Sequence, residues 1–498
     1  MKKILTALSV SLLIANFSFA QSDEDALRFS QLVYGSSGRG VGAGSAFGAL
    51  GGDFSSMTIN PAGVAIFQKN QFSFTPSFVS VKNNSLFDGN SSGSHKYNFN
   101  VSGFGLVWAK QNDQDGKSKW RNVNFAMGAN RVAGFHNSVY WQGYNPSSSL
   151  AEKYAELANS SGVSPENIAG IYPFDAGLAY NTSLLQFDSA SGYWALPEGG
   201  GVKQEESYKT RGGLTEYLFA FGGNYNDRIY VGGSVSILDA NYRYNSSYTE
   251  TDVNNAIPYF KSFTLDQSQR TTGGGAVMKF GMIARLNDYV RIGGSVASPD
   301  FLFLNDHYSA SMNTVLDSTY GTDNASSPDG QYSYNITTPW RMNASLALTI
   351  KKYGFLSVDY EFLDYSEAFF TLNNDNSTDA KAFENNLNTT ISKKYGPAYN
   401  IRLGGEGVIN DFRIRAGYGL YNTPFQSGVA EPGYDNKITV YSGGIGFNED
   451  DYFIDFGFAR SQFNSFLQPY SLASGVNVNG VKESTFSNQF TFTIGWKW

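Results

Sequence analysis

The chain has 498 residues, of which 16% are charged and 16% aromatic, with 54 Gly, no Cys and a net charge of −7. Soluble globular chains carry about 25% charge, and a nucleic-acid binder needs a basic footprint that this acidic balance does not supply. The lack of Cys excludes disulfides and thiolate chemistry.

Met1–Ala20 reads as a secretory signal. Lys2 and Lys3 precede an apolar run, Ile4–Phe17, and Ser18-Phe19-Ala20 forms a small-residue cleavage site. Gln21 follows where a lipoprotein would have Cys. The rest of the chain has no apolar run of about 18 residues, so a helical membrane anchor is not expected.

Gln21–Lys69 does not alternate. A polar amphipathic stretch, Asp23–Tyr34, leads into the glycine-rich run Gly38–Asp53 and then Asn60-Pro61-Ala62-Gly63. Some fifty residues are too few for a separate domain but suit a plug inside a barrel, where small side chains permit close packing. The glycine run is not a nucleotide site. Ala43 stands where a third Gly would be needed, and Arg39-Gly40-Val41 stands where a P-loop requires Gly-Lys-Ser/Thr.

About fourteen alternating or glycine- and aromatic-rich strands follow. They are Gln71–Val81, Asn98–Ala109, Asn122–Tyr140, Leu214–Asn224, Arg228–Tyr244, Gly273–Leu286 and Tyr289–Ala297, the last with a possible extension to Tyr308. Then come Trp340–Ile350, Phe355–Tyr365, Ala398–Val408, Phe412–Tyr421, Ile438–Phe447, Tyr452–Arg460 and Thr485–Trp498. The last is the plainest: Phe486, Phe490, Phe492, Ile494, Trp496 and Trp498 face one way, and Thr485, Ser487, Gln489, Thr491 and Thr493 the other. Such a strand ending in aromatics fits a lipid-facing wall.

From the fourth strand onward short polar turns alternate with long connections. The turns include Tyr225-Asn226-Asp227, Asn287-Asp288 and Ile409-Asn410-Asp411; the long links include Trp141–Gly213, Asn245–Thr272, Ser298–Pro339 and Ser461–Ser484. Outer-membrane barrels have this rhythm, with tight periplasmic turns and long outer loops. The even strand count places both ends of the barrel on the periplasmic side. Leu150–Ala158 reads as a helix in the first long loop, packed on the barrel mouth. The expected fold is therefore all-β: a transmembrane antiparallel barrel over residues 70–498, a plug over 21–69 and a signal over 1–20, in the outer membrane of a Gram-negative bacterium.

The third strand holds an inconsistency. Val123, Phe125, Met127 and Ala129 set an outward face whose next member is Arg131. A lipid-facing Arg at the midplane costs about 2–4 kcal/mol. Either Arg131 lies near the headgroups, or the strand breaks phase between Arg131 and Gly134, where Gly134 would suit a bulge.

The glycine run with Asn60-Pro61-Ala62-Gly63 resembles the N-terminal hatch of FadL/TodX-type outer-membrane transporters of fatty acids and other hydrophobic compounds. Leu286–Pro299 (LNDYVRIGGSVASP), Thr338-Pro339-Trp340-Arg341, Val358-Asp359-Tyr360 and Arg415-Ala416-Gly417-Tyr418 with Pro424 follow in the family's order. The resemblance implies a fourteen-stranded barrel closed by a hatch. It also implies uptake of a fatty-acid-like ligand: capture at the outer loops, passage past the hatch, and lateral exit at a kinked third strand. Asn60, Pro61, Ala62 and Gly63 would then act in the hatch, and Arg131 and Gly134 at the gate. A monomer without cofactor or metal, in contact with outer-membrane lipid, is expected.

Three alternatives stand beside it: a polar-solute porin, a haem- or ligand-binding surface receptor, and a barrel hydrolase. The chain's only histidines are His95, His136 and His307, and no Ser-His-Asp/Glu pattern can be placed around them. The segment Asp113–Gly116 lacks a full calcium-loop pattern and reads as a turn.

Overall fold

The computed structural model describes residues 22–112, 118–317, 321–372 and 377–498; the leader Met1–Ala20 and the turn Asp113–Gly116 lie outside these. One sheet of nineteen strand segments closes on itself. Four strands are each interrupted once and Thr322–Ser326 is an outer hairpin segment, which leaves fourteen strands around the barrel.

The first six run Gln71–Phe87, Asn90–Gln111, Trp120–Gly134 continued by Asn137–Asn145, Val202–Tyr225, Ile229–Thr251 and Phe260–Arg285. The next three are the other interrupted ones: Val290–Ala297 with Phe301–Leu316, Gly330–Thr337 with Arg341–Thr349, and Gly354–Asp364 with Phe369–Leu372. Pro397–Ile409, Phe412–Tyr421, Ile438–Asn448, Tyr452–Leu467 and Val481–Lys497 complete the wall. The last strand pairs with the first from Gln71↔Lys497 to Leu86↔Lys482. Closure pairs the first strand with the last, so neither terminal strand presents an open edge to another chain.

Alternation decides which side each residue faces. In the last strand Phe490, Phe492 and Trp496 are exposed, whereas Thr491 and Thr493 are buried against the interior. The ninth does the same, with Leu356, Tyr360 and Phe362 outside and Ser357, Asp359 and Glu361 inside. So much exposed apolar surface is stable only against hydrocarbon, and Trp120, Tyr452, Trp496 and Trp498 rim its lower edge as an aromatic girdle. The chain is a transmembrane barrel.

The tight turns fall where the polar clusters predict, with left-handed backbone at Asn226, Asp227 and Asn410. The outer connections are shorter than expected. The fifth and sixth strands run on to Thr251 and back from Phe260, and the first two meet in a tight turn at Asp88-Gly89. Beyond the apolar band neither face of these ribbons meets lipid. They lose the hydrophobic alternation that marks a strand, and so read as loops.

The link after the third strand folds into a cap. The expected helix runs Leu150–Ser161, opened by a Ser149/Glu152 capping box and closed by left-handed Gly162. Leu150, Tyr154 and Ala158 pack with Phe87, Trp141, Phe260, Met312 and Tyr470 over the mouth. The Leu150 amide donates to Glu250 at 2.8 Å, and Gln204 donates to Glu250 and to the Tyr470 hydroxyl, each at 2.8 Å.

Candidate functional site: the plug and the third-strand break

The N-terminal segment fills the lumen with two short α-helices, Asp23–Ser30 and Gly38–Gly42, and two 3-10 turns, Phe54–Thr58 and Pro61–Ile66. It fits because glycines on the wall let the backbones touch. On one side a Cβ at Gly404 would stand 2.2 Å from the Ala43 carbonyl oxygen, and one at Gly457 2.4 Å from that of Gly38. Gly404 faces Gly417, and Gly444 faces Gly457, so these glycines form a diagonal row under the plug's glycine run. A second row, Gly222, Gly232 and Gly281, lies in register beneath Pro61–Ile66.

Asn60 joins the plug to the wall. Its Nδ2 donates to the Gly48 carbonyl at 2.7 Å and to those of Met282 and Gly294 at 3.2 and 3.4 Å; its Oδ1 accepts from the Ala62 amide at 3.0 Å. Pro61 opens the 3-10 turn with no amide left to satisfy, and Ala62 is fully buried. Gly63 touches Gly51, whose Cβ would stand 2.6 Å from the Gly63 Cα. The wall binds plug carbonyls in return. Asn124 donates to Val64 and Phe67 at 2.9 and 2.8 Å, and Ser295 donates to Ile59 at 2.7 Å.

Several charges inside the lumen are paired. Arg39 clasps Glu406 through two bonds of 3.0 Å, Arg415 donates to the same carboxylate at 2.6 Å, and Arg415 also reaches Asp455 at 2.6 Å. Lys279 bridges Glu216 at 2.6 Å and donates to the Thr58 carbonyl of the plug at 3.0 Å. Arg402 sits between Glu361 and Asp359 at 3.5 and 3.8 Å, and Asp359 accepts from the Gly48 amide at 3.0 Å. In a dry interior each such charge needs its partner. On the outer side Asp23 accepts from the Tyr395 hydroxyl at 2.7 Å. Burial and that carboxylate hold the hydroxyl well above its ordinary pKa.

The first plug helix packs into an apolar cluster of the wall. Leu27, Phe29 and Leu32 pack with Leu214, Leu238, Leu302 and Phe370. A small cavity beside it, lined in part by Tyr34, Ser45, Tyr421 and Gln489, has a volume of about 30 Å³. That holds water but not a hydrocarbon chain.

The wall opens at the third strand. Pairing with the second strand ends at Gly103↔Asn130, whereas the second strand continues outward to Asn90. On the other side the register shifts between Arg131 and Ala133, and the strand is interrupted at Phe135-His136. The outer piece pairs with the fourth strand from Asn137↔Thr210 to Asn145↔Val202, leans toward the first two strands and is held to them by side chains instead of a ladder. Asn83 and Ser94 each donate to the Ser138 carbonyl at 2.6 Å, and Lys96 donates to the carbonyls of Asn137 at 3.1 Å and Thr210 at 2.5 Å. Phe29 of the plug stands edge-on to Phe135 in the interruption, with centroids 5.6 Å apart.

Arg131 is half-buried and its guanidinium donates to the Gly212 carbonyl, so it does not lie in hydrocarbon. Gly134 ends the first piece, exposed and uncrowded: the one atom within 4 Å of an added Cβ is Arg131 Nε at 3.8 Å. The glycine the break requires is Gly212 on the fourth strand, at φ +113, whose Cβ would stand 2.0 Å from the Asn241 carbonyl oxygen. Gly213 beside it would collide with Arg131 and Ala133. The doublet Gly212-Gly213 inside a strand was the available signal, and it sat in a stretch that reads as loop.

The three histidines are dispersed. His95 and His307 are exposed on strands, and His136 lies in the interruption rather than within a strand. Among the described residues no group of three or more His, Asp or Glu is placed to hold a metal ion.

Neither a protein-family model nor a curated protein sequence matches this chain. Solved structures do. A FadL homologue from Pseudomonas aeruginosa matches over 93% of this chain and 99% of its own, at 12% identity and a TM-score of 0.54. The toluene transporter TodX of Pseudomonas putida matches over 92% and 99%, at 12% identity and a TM-score of 0.52. This chain has the fold of the FadL and TodX proteins: a fourteen-stranded barrel closed around its own N-terminal segment.

Proposed function

We propose that this protein is an outer-membrane channel for hydrophobic compounds, with long-chain fatty acids as the ligand class, and that it is not an enzyme. The observation that carries the reading is the break in the wall above Asn130, set beside Phe29 of the plug. An apolar solute gains nothing from a water-filled pore, since exposing it costs about 0.8 kcal/mol per CH₂. It needs a route lined with apolar side chains that ends in the bilayer. The apolar cluster around Phe29 and Leu238 supplies the lining once the plug loosens, and the unpaired edge of the second strand supplies the exit. There Tyr97, Phe99 and Val101 face outward, exposed. The solute is captured at the outer cap, passes along the apolar cluster when the plug loosens, and leaves sideways. Arg131 and Gly134 border the exit. Asn60 to Gly63 hold the plug against the wall from which it must loosen.

The absence of native Cys makes the test clean. Ser94→Cys and Asn137→Cys, joined by a short cleavable bis-thiol linker, would lock the break. In vesicles the locked protein is expected to lose uptake of a labelled fatty acid and to regain it on cleavage. Undiminished uptake in the locked state would exclude lateral exit. Passage of sugars in preference to acyl chains would exclude the hydrophobic channel.

A further inference from the structure

The outer face of the barrel carries a row of basic side chains that no described residue pairs with. Arg211 pairs directly with Arg243, Arg243 with Arg270, and Arg270 with His307, across the fourth to seventh strands. All four are exposed and face outward, and Lys209 is exposed one step further out on the same face. Directly opposed side chains on a sheet lie about 4.5–5.5 Å apart, and like charges so placed destabilise the pairing. Among the described residues none of the four side chains forms an ion pair or a hydrogen bond. The nearest carboxylates on that face of the fifth and sixth strands are Asp239 and Asp266. Each is four residues along its strand from Arg243 or Arg270, on opposite sides of the row, or about 13 Å away. Three adjacent guanidiniums without a counter-charge call for an external polyanion.

The height of the row narrows the choice. On the outer face Arg211 lies six residues beyond Tyr217, Arg243 six beyond Ile237, Arg270 eight beyond Met278 and His307 four beyond Phe303, the last large exposed apolar groups of those strands. That is about 13–26 Å along the strands, and about 10–20 Å along the membrane normal at a tilt of 35–45°. A phospholipid headgroup layer is only about 5–8 Å deep. Sugars carrying phosphate on a glycolipid reach that far. The row spans about 14 Å over three strand spacings, wide enough to meet more than one phosphate, and Arg binds phosphate through two parallel bonds.

We propose that Arg211, Arg243, Arg270 and His307 form a docking surface for the phosphorylated sugar headgroup of an outer-leaflet glycolipid. This rests on the outer-membrane reading above.

The test uses the full-length barrel in neutral detergent. Its probes are a glycolipid with a phosphorylated disaccharide headgroup, the same lipid dephosphorylated, and inorganic phosphate at equal phosphate concentration. The wild type is expected to bind the phosphorylated lipid at least about tenfold more tightly than the dephosphorylated one, and R211Q/R243Q/R270Q to lose that preference. Without lipid the triple variant should unfold at the same temperature as the wild type or higher, since like-charge repulsion is gone. K351Q/K352Q, at a turn on the opposite rim, should bind as the wild type does. Equal binding by the triple variant would overturn the proposal, as would inorganic phosphate matching the lipid. A barrel that inserts into bilayers but ignores the phosphate sinks this inference alone, whereas one that does not insert sinks the outer-membrane reading as well.

Discussion

Phe29 of the plug and Phe135 of the third strand meet edge to face, with ring centroids 5.6 Å apart and planes at 89°. Phe135 also stands edge-on to Tyr242 at 5.8 Å, and Arg28 lies over the Tyr242 ring at 4.0 Å. The first plug helix thus touches the wall where the ladder between the second and third strands ends. Movement of that helix and opening of the break are therefore expected to be linked.

That linkage is measurable. Phe29→Ala and Phe135→Ala should each lower the unfolding temperature, and a double-mutant cycle should return a coupling of about 0.5–1.5 kcal/mol beyond simple area loss. Additive effects would show that the rings do not act together. Each single variant is also expected to admit an apolar dye faster than the wild type in vesicles.

Asn60→Ala removes the three donor contacts to the Gly48, Met282 and Gly294 carbonyls. Leaving these groups unmet in a dry interior costs about 1–3 kcal/mol. The barrel does not depend on Asn60 for its ladder, so the heat-dependent gel shift of the folded barrel should be unchanged. Protease sensitivity of the plug should rise and fatty-acid uptake should fall. Loss of the folded barrel itself would make Asn60 a purely structural residue.

Two glycines of the tenth strand make a matched pair. Gly404→Ala places a methyl 2.2 Å from the Ala43 carbonyl oxygen, a backbone atom that cannot swing aside, whereas a Cβ at Gly407 meets nothing within 4 Å. The Gly404 variant should destabilise plug seating by about 1–3 kcal/mol, as overpacking does. The Gly407 variant should be neutral in both stability and uptake.

Lys279→Met strips Glu216 of its partner while both are buried. The expected cost is about 3–5 kcal/mol, read from the unfolding temperature. Lys279→Met with Glu216→Gln removes the stranded charge and should recover most of that loss. If the double variant is as unstable as the single, Lys279 matters mainly for its bond to the Thr58 carbonyl of the plug.

Where the sequence was informative, the signal was short in range. The strands of the apolar band were legible because lipid on one side and a polar lumen on the other force a two-residue alternation, as in Phe490 to Trp496. The plug was legible as the stretch where alternation fails and glycine accumulates. The outer halves of the strands were not: the ribbon from Tyr242 to Thr251 meets water or the loop cap on its faces and carries no such pattern. Arg131 flagged the broken strand, yet the backbone that requires glycine proved to be Gly212, on a neighbouring strand far along the chain.

The sequence by itself determined the number of wall strands, their faces, the tight turns and the place of the plug, because each depends on residues one to four positions apart. The tertiary structure decided the rest. Arg39 finds Glu406 across 367 positions, Gly404 makes room for Ala43, and Arg211, Arg243 and Arg270 come to stand side by side only when three strands are set in register. Such pairings are chosen by barrel closure and strand register. No local pattern encodes these, because a shift of a single residue would send every one of those side chains to the other face of the wall.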